Sequence, residues 1–392
     1  MNLLGPQSVT YLDNNATTPV APEVAEAMIP YVRDFFGNAS SAYRFGNQIS
    51  GVLEQAREQV ASLIGADERE IVFTSCGTES DNAALNHALL SHPSKKHIVT
   101  SRVEHSAIKK HCEFLEKQGY EITRLEVDSN GLLTVDDVAR ALRPETALVT
   151  LMWANNETGV LFPVEAIGEL CRKQGVLFHT DAVQAVGKIP INLAASKIDM
   201  LSISGHKLHC PKGVGVLYVH KRIAFKPYLI GGGQEKGRRG GTENTASIVA
   251  LGKACELAAQ RLEEENTRVR ALRDHMEKGL LAAIPDSHIN GAGAARLPNT
   301  TNVSLEGVEA EAVLLLLDRE GICASSGSAC TTGSLEPSHV LTAMGLPASR
   351  AKGSIRLSLS TYNTEAEVGK LLEVLPPIVA RLRNPSQVAP EN

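Results

Sequence analysis

Ser202-Ile203-Ser204-Gly205-His206-Lys207 follows the apolar run 198–201 and presents one lysine at the mouth of a buried strand. Partial loss of hydration there lowers a lysine's pKa and makes its amine a nucleophile. That is what a Schiff base with an aldehyde cofactor requires, pyridoxal phosphate above all. Read alone, Lys207 is as well explained as a surface charge, so the rest of the chain has to supply what such a lysine needs.

Thr74-Ser75-Cys76-Gly77-Thr78-Glu79-Ser80 joins an expected strand to an expected helix. Gly77 lets a ligand approach the backbone, and Thr78 adds a hydroxyl where free N–H groups and the helix dipole suit a phosphate. A plain N-cap turn uses the same residues. The stretch has neither the Walker lysine nor G-x-G-x-x-G, which disfavours nucleoside triphosphates and dinucleotides. In His179-Thr180-Asp181-Ala182-Val183-Gln184 a carboxylate ends a buried strand, where it needs a positive partner. A pyridinium nitrogen is one such partner, and Gln184 could donate to the ring's phenolate oxygen; a helix cap is the other reading of Asp181. His105 stands where a ring could stack on a planar cofactor or shuttle protons, and His206 with Ser204 could bind the phosphate. Asn156, in Trp153-Ala154-Asn155-Asn156-Glu157-Thr158-Gly159, reads as a ring or substrate contact or as a turn residue.

The run of small residues 324–334 buries almost nothing and is expected to be a mobile surface loop. Cys330 at its middle is then an exposed thiol, unlike a structural one, whereas Cys323 is expected to be buried.

These residues need elements to position them. Short apolar runs at 71–74, 97–100, 121–127, 147–152, 176–179, 200–204 and 214–219 alternate with helical patterns at 78–90, 106–118 and 164–173. That alternation predicts right-handed crossovers and a mainly parallel sheet with ligands at the carboxyl ends of its strands. Before it lie an extended arm and helices over 22–35 and 46–63. After the glycine-rich stretch 231–241, a helical stretch over 246–284 is too long for one unbroken globular helix and leads to a smaller α+β unit. Its strands are expected at 302–306 and 354–360, with a helix at 310–319, and the polar terminus 384–392 is expected to be disordered.

With 392 residues, 43% hydrophobic and 21% charged, the chain has the length and composition of a globular protein of two or three domains. A net charge of −5 gives no sign of a nucleic-acid or anionic-membrane partner, and no apolar run has the length of a span. The opening Met1-Asn2-Leu3-Leu4-Gly5-Pro6 has no signal-peptide core, so a cytoplasmic location is expected. The seven cysteines are widely spaced without a C-x-x-C pair, which suggests neither a disulfide framework nor a zinc site.

Taken together, Ser75-Cys76-Gly77-Thr78-Glu79-Ser80, His179-Thr180-Asp181-Ala182-Val183-Gln184, Ser204-Gly205-His206-Lys207 and Ser326-Gly327-Ser328-Ala329-Cys330, with Leu335-Glu336-Pro337-Ser338 after it, closely resemble the cysteine desulfurases. These are pyridoxal-phosphate enzymes of the class V aminotransferase family, and the likeness is greatest to the nitrogen-fixation (NifS-like) type. It runs from Tyr11-Leu12-Asp13-Asn14-Asn15-Ala16-Thr17-Thr18 to Ser354-Ile355-Arg356-Leu357-Ser358, nearly the whole chain. The resemblance implies an α/β fold of fold-type I. An arm (1–15) packs with the small domain, a large cofactor-binding domain covers 16–259, and a small domain, 260–392, carries the cysteine loop.

The same resemblance implies that Lys207 carries pyridoxal 5'-phosphate, with Gly77, Thr78, Ser204 and His206 on its phosphate. Thr242 would reach that phosphate from the second subunit of a homodimer. Asp181 would pair with the ring nitrogen and Gln184 with the phenolate oxygen. His105 would stack on the ring, Asn156 would position the cofactor, and Arg356 would grip the carboxylate of L-cysteine. Lys207 would move the Cα proton, and Cys330 would attack the substrate sulfur, releasing L-alanine and keeping a persulfide for an iron–sulfur scaffold protein. Cys330 would also be a candidate ligand of a cluster shared with that scaffold. Two other readings are a selenocysteine lyase or related β-eliminating lyase, and a sulfur-carrier docking component. Cys210 departs from the glycine of many housekeeping relatives and reads as a small buried filler or a second thiol near the ring.

Overall fold

The structure is a computed structural model, and it describes residues 9–326 and 337–384. Cys330, most of the small-residue run and the terminus beyond Asn384 lie outside the described residues.

The arm begins with β1 (Thr10–Tyr11) and leads to α1 (Pro22–Arg33), where Pro22 occupies a first-turn position that needs no backbone N–H. α2 (Arg44–Ile64) ends on Gly65, whose φ of 62° closes the helix in the left-handed region. Then follow β2 (Ile71–Thr74), α3 (Gly77–Ser91), β3 (His97–Ser101), α4 (Ser106–Lys117), β4 (Glu121–Leu125), α5 (Val135–Ala141), β5 (Thr146–Met152), α6 (Val164–Gln174), β6 (Leu177–Asp181), β7 (Met200–Ser204) and β8 (Gly215–Val219). Every residue of β2, β3, β5, β6, β7 and β8 is buried. Strands covered on both faces read as continuous apolar runs, which is the pattern the sequence shows.

The sheet order is β2-β8-β7-β6-β5-β3-β4. β8 runs antiparallel to both of its neighbours, while the other pairs are parallel. The mainly parallel sheet is therefore present with one reversed strand. Residues 205–214, which join β7 to β8, are too few for a crossover, so that strand must turn back.

The long helical stretch is interrupted as expected: α7 (Thr245–Glu264) and α8 (Arg270–Ala283) meet at a π-helical turn, Glu265–Val269. The remaining elements are β9 (Ser287–Ile289), β10 (Thr300–Leu305), α9 (Ala310–Arg319), β11 (Ile322–Cys323), α10 (His339–Ala343), α11 (Ala348–Lys352), β12 (Ser354–Ser358) and α12 (Glu365–Arg383). β10 lies between β9 and β12 in an antiparallel sheet with its own core, which includes Val303, Ile355, Leu371 and Leu375. Leu12 of the arm belongs to that core; its N–H donates to Cys323 O (2.9 Å) and its carbonyl accepts from Ser358 N (2.8 Å).

Cys323 is half-buried rather than buried, because β11 is a two-residue strand paired only with the arm. Cys210 is buried, and burial pushes its thiol well up. α5 and α12 were not foreseen. In α12, Pro376-Pro377 reads as a helix breaker, yet the Thr364–Glu367 capping box starts the helix. Val368, Leu371, Leu375 and Val379 then bury one continuous face at helical spacing.

Candidate active site

The carboxyl ends of the parallel strands converge on one place. β2 leads into the Gly77 turn, β3 toward His105, β5 toward Asn156, β6 ends in Asp181, and β7 delivers Ser204, His206 and Lys207. All of these, with Gln184, Asn15, Ala16, Asp81 and Arg356, line a cavity of about 410 Å³. This is where an open α/β sheet forms its crevice, and cofactor-sized sites occupy about 300–1,000 Å³. Thr242 is exposed and does not line this cavity, and Cys330 lies outside the described residues.

The arm wraps the Lys207 turn. Lys207 Nζ donates to Asn15 O (2.5 Å) and Ala16 O (2.7 Å). Thr18 N donates to His206 O (3.0 Å), and His206 Nδ1 lies 3.2 Å from Thr17 Oγ1. Burial and the charge of Lys207 push the His206 imidazole down to about 4, so it is neutral at pH 7. His209 sits at φ 58°, a left-handed conformation that favours glycine. It is held there by Thr18 Oγ1, which accepts from His209 N (2.8 Å), and by edge contact with Tyr362.

At the start of α3 the N-cap is Cys76, whose Sγ accepts from Glu79 N (3.4 Å). A Cβ on Gly77 would come within 2.9 Å of Val183 Cγ2 and 3.4 Å of Ser204 Cβ. Only glycine keeps that cradle open, beside the Thr78 hydroxyl and the first free N–H groups of the helix. His105 caps α4, its Nδ1 accepting from Ala107 N (3.2 Å), which leaves the neutral ring's proton on Nε2.

Asp181 is 6% exposed and accepts from Val183 N at 3.0 Å. Burial pushes its carboxyl up, while His105 and Lys207 pull it down. Gln184 Nε2 donates to Asn15 O (3.0 Å), and its buried Oε1 has no hydrogen-bond partner among the described residues. The second N–H of Gln184 Nε2 is the donor available to a ring oxygen. A buried carboxyl short of a cation, an orphaned amide oxygen, a glycine cradle at a helix N-terminus and one lysine match the parts of pyridoxal phosphate. The residues present fit the group.

Arg356 is 2% exposed; Nη1 donates to Asn156 O (2.9 Å) and Nη2 to Asp13 Oδ1 (2.7 Å). Its buried Nε has no partner among the described residues. The backbone of Arg356 pairs with Ser325, so one described end of the small-residue segment lies against the strand that carries this arginine. At the other end Ser338 Oγ donates to buried Glu157 Oε2 (2.5 Å), and His339 Nε2 lies 3.0 Å from Glu104 O. Asp13, Asn15, Asp81, Glu104 and Glu157 were not singled out from sequence. Asp13 and Asn15 stand in a stretch that reads as an extended arm and turn and carries the resemblance without a role for either, and the other three were given no role.

Glu104 is 1% exposed; Oε1 accepts from Ser101 Oγ (2.6 Å) and Met152 N (3.2 Å), and Oε2 has no partner among the described residues. Burial pushes this carboxyl up to about 8. Unfolded, it would titrate near 4.3, so between these values the folded chain holds the extra proton and stability falls as pH rises. Glu104→Gln should remove that component and raise the thermal midpoint more at pH 8 than at pH 5. An equal shift at both pH values would show that Glu104 is not its source.

Residues 10–371 match the family model described as aminotransferase class-V. A cysteine desulfurase of Nostoc sp. is 58% identical over 376 residues, covering 96% of this chain and 94% of that protein. The cysteine desulfurase NifS of Azotobacter vinelandii is 53% identical over 377 residues, with the same coverage of each. Among solved structures, a NifS-like protein superposes with a TM-score of 0.89 at 37% identity, covering 95% of this chain and 99% of that one.

Proposed function

The chain belongs to the class-V aminotransferase family and is a cysteine desulfurase, a pyridoxal-phosphate enzyme, and from that premise we propose a role for each residue of its cavity. Lys207 carries the cofactor covalently, and Gly77, Thr78, Ser204 and His206 seat its phosphate. Asp181 faces the ring nitrogen, Gln184 the ring oxygen, His105 stacks on one face, and Asn156 positions the ring. When bound, pyridoxal phosphate supplies an electron sink for an amino acid's Cα.

Arg356 holds the carboxylate of L-cysteine, with Nε as the donor unclaimed among the described residues. The Lys207 amine takes the Cα proton. The Cys330 thiolate then forms an S–S bond with the substrate sulfur as the Cβ–S bond breaks, its bonding pair staying with carbon. Protonation of that carbon, with return of a proton from the Lys207 ammonium to Cα, gives L-alanine, and the sulfur stays on Cys330 as a persulfide. The observation that carries these roles is the single cavity, which collects candidates from five separate strand ends.

Arg356→Lys tests the substrate role. A lysine keeps the charge but loses the planar fork, so the KM for L-cysteine should rise about tenfold or more while the cofactor's visible spectrum is kept. An unchanged KM overturns the assignment.

The partner is a second copy of the chain, whose Thr242 completes the phosphate seat. Exposed Ile29, Val32, Phe35, Phe36 and Phe45 beside α1, with Ile230 beyond β8, support such a covered face. An iron–sulfur scaffold protein receives the persulfide, for nitrogenase maturation or general cluster assembly. The division into units 16–259 and 260–392 is supported by the C-terminal sheet's own core, while Leu297, Val340, Leu341, Met344 and Ala351 of the second unit pack into the core of the first. The six described cysteines are unpaired, which suits the reducing cytoplasm.

A further inference from the structure

Asp81 lies in the second turn of α3, 1% exposed, and lines the cavity with Asp181. It does not cap the helix, since Cys76 does that. Its Oδ1 is buried without a hydrogen-bond partner among the described residues. The one ion-pair contact it makes among those residues is with His179 Nε2 at 3.7 Å. Burial holds that imidazole down to about 3, so it brings no charge. His179 Nδ1 is 2.9 Å from Thr150 Oγ1 and Nε2 is 2.9 Å from Ser202 Oγ. One tautomer satisfies both contacts, with Thr150 donating to His179 and His179 to Ser202, so the ring needs no proton from Asp81. An asparagine would fill the same space without the penalty of a buried carboxylate, so the acid at this position needs a reason.

We propose that Asp81 is a positioning residue for the cofactor: a second carboxyl in the cavity of Asp181, it sets through its own ionisation the charge that the ring nitrogen meets. The proposal rests on the assignment of Asp181 to that nitrogen. The ionisable groups facing Asp81 are Asp181 and His179 on β6, Glu104 ahead of α4, and Cys76 ahead of α3. β5 and β7 bring the hydroxyls of Thr150 and Ser202, while β2, β8 and α4 bring Val72, Leu217 and Ile108 to the core that α3 shares. Two carboxyls in one buried site cannot both ionise cheaply, so the pair titrates in two steps. At low pH Asp81 holds the proton and the pair carries one negative charge. At high pH the proton leaves and the pair carries two. A ring cation against Asp181 is then held more tightly.

Affinity of the cofactor-stripped, full-length chain for pyridoxal phosphate can be read from quenching of its single tryptophan. Trp153 donates its backbone N–H to Asp181 O at 2.8 Å and so reports on this site. At pH 6, Asp81→Asn should bind like the wild type. At pH 9 it should bind about tenfold more weakly or worse, the scale of one buried charge a few ångströms away. Asp81→Ser should give the same pH-dependent ratio and covers the case in which the amide packs poorly. A merely structural role gives a ratio independent of pH between 6 and 9, and that result overturns the proposal. Asp181→Asn separates the two assignments: if it binds the cofactor like the wild type at both pH values, the placement of the ring nitrogen is wrong instead.

Discussion

Lys207→Ala should lose covalently held cofactor and form alanine from L-cysteine about a thousandfold more slowly or worse. Among the described residues Lys207 is the lysine that lines this cavity; Lys188 is buried and, with Lys207, lines a second one. The substitution also removes the donor to Asn15 O and Ala16 O, so part of any loss will come from a loosened arm. A small primary amine added to the solution separates the two effects. It can enter the space vacated by the side chain and restore part of the rate by moving the Cα proton, but it cannot re-tie the arm. Borohydride treatment followed by mass analysis reads the attachment directly. Cofactor that stays fixed to the variant chain after borohydride would move the anchor to another lysine, Lys212 first.

The strand ends and the cofactor candidates were legible because each rests on a local rule. A buried parallel strand is a short apolar run, and the residue just past its end faces the crevice whatever the rest of the fold does. Those rules made Gly77, Asp181 and Lys207 candidates with plain alternatives, and the resemblance of the motifs to a known family then put them at one site before any coordinates. Partnerships set by distant chain segments carry no such signal. The arm's grip on Lys207, the Asp13–Arg356 pair and the Ser338–Glu157 bond join residues 192, 343 and 181 positions apart. α12 was missed for a different reason, since its two prolines outweigh in local propensity what four buried apolar residues restore in tertiary packing. Asp81 and Glu104 show the same limit in the site itself. Each is an ordinary acid by sequence, and only burial makes it a proton store.

Cys330→Ala should keep the cofactor and the binding of L-cysteine yet release sulfur about a thousandfold more slowly, with no persulfide on the chain. The placement argument comes from the covalent chain. Ser325 is paired with the backbone of Arg356, and Cys330 follows it by five positions in the sequence. Five steps of chain reach at most about 18 Å, so the sequence allows this thiol to meet a substrate held by Arg356 as proposed. Cys76 is the competing thiol, because it lines the cavity and its Sγ caps α3. That bond to Glu79 N fixes Cys76 on a helix whose first turn is the proposed phosphate seat, where passing sulfur to an outside acceptor would disturb it. Mass analysis after one turnover with L-cysteine and alkylation distinguishes the two. A sulfur adduct on the Cys330 peptide, lost in Cys330→Ala and kept in Cys76→Ser, is the expected result. Undiminished sulfur release by Cys330→Ala, with the adduct now on Cys76, would transfer the nucleophile's role to the helix cap.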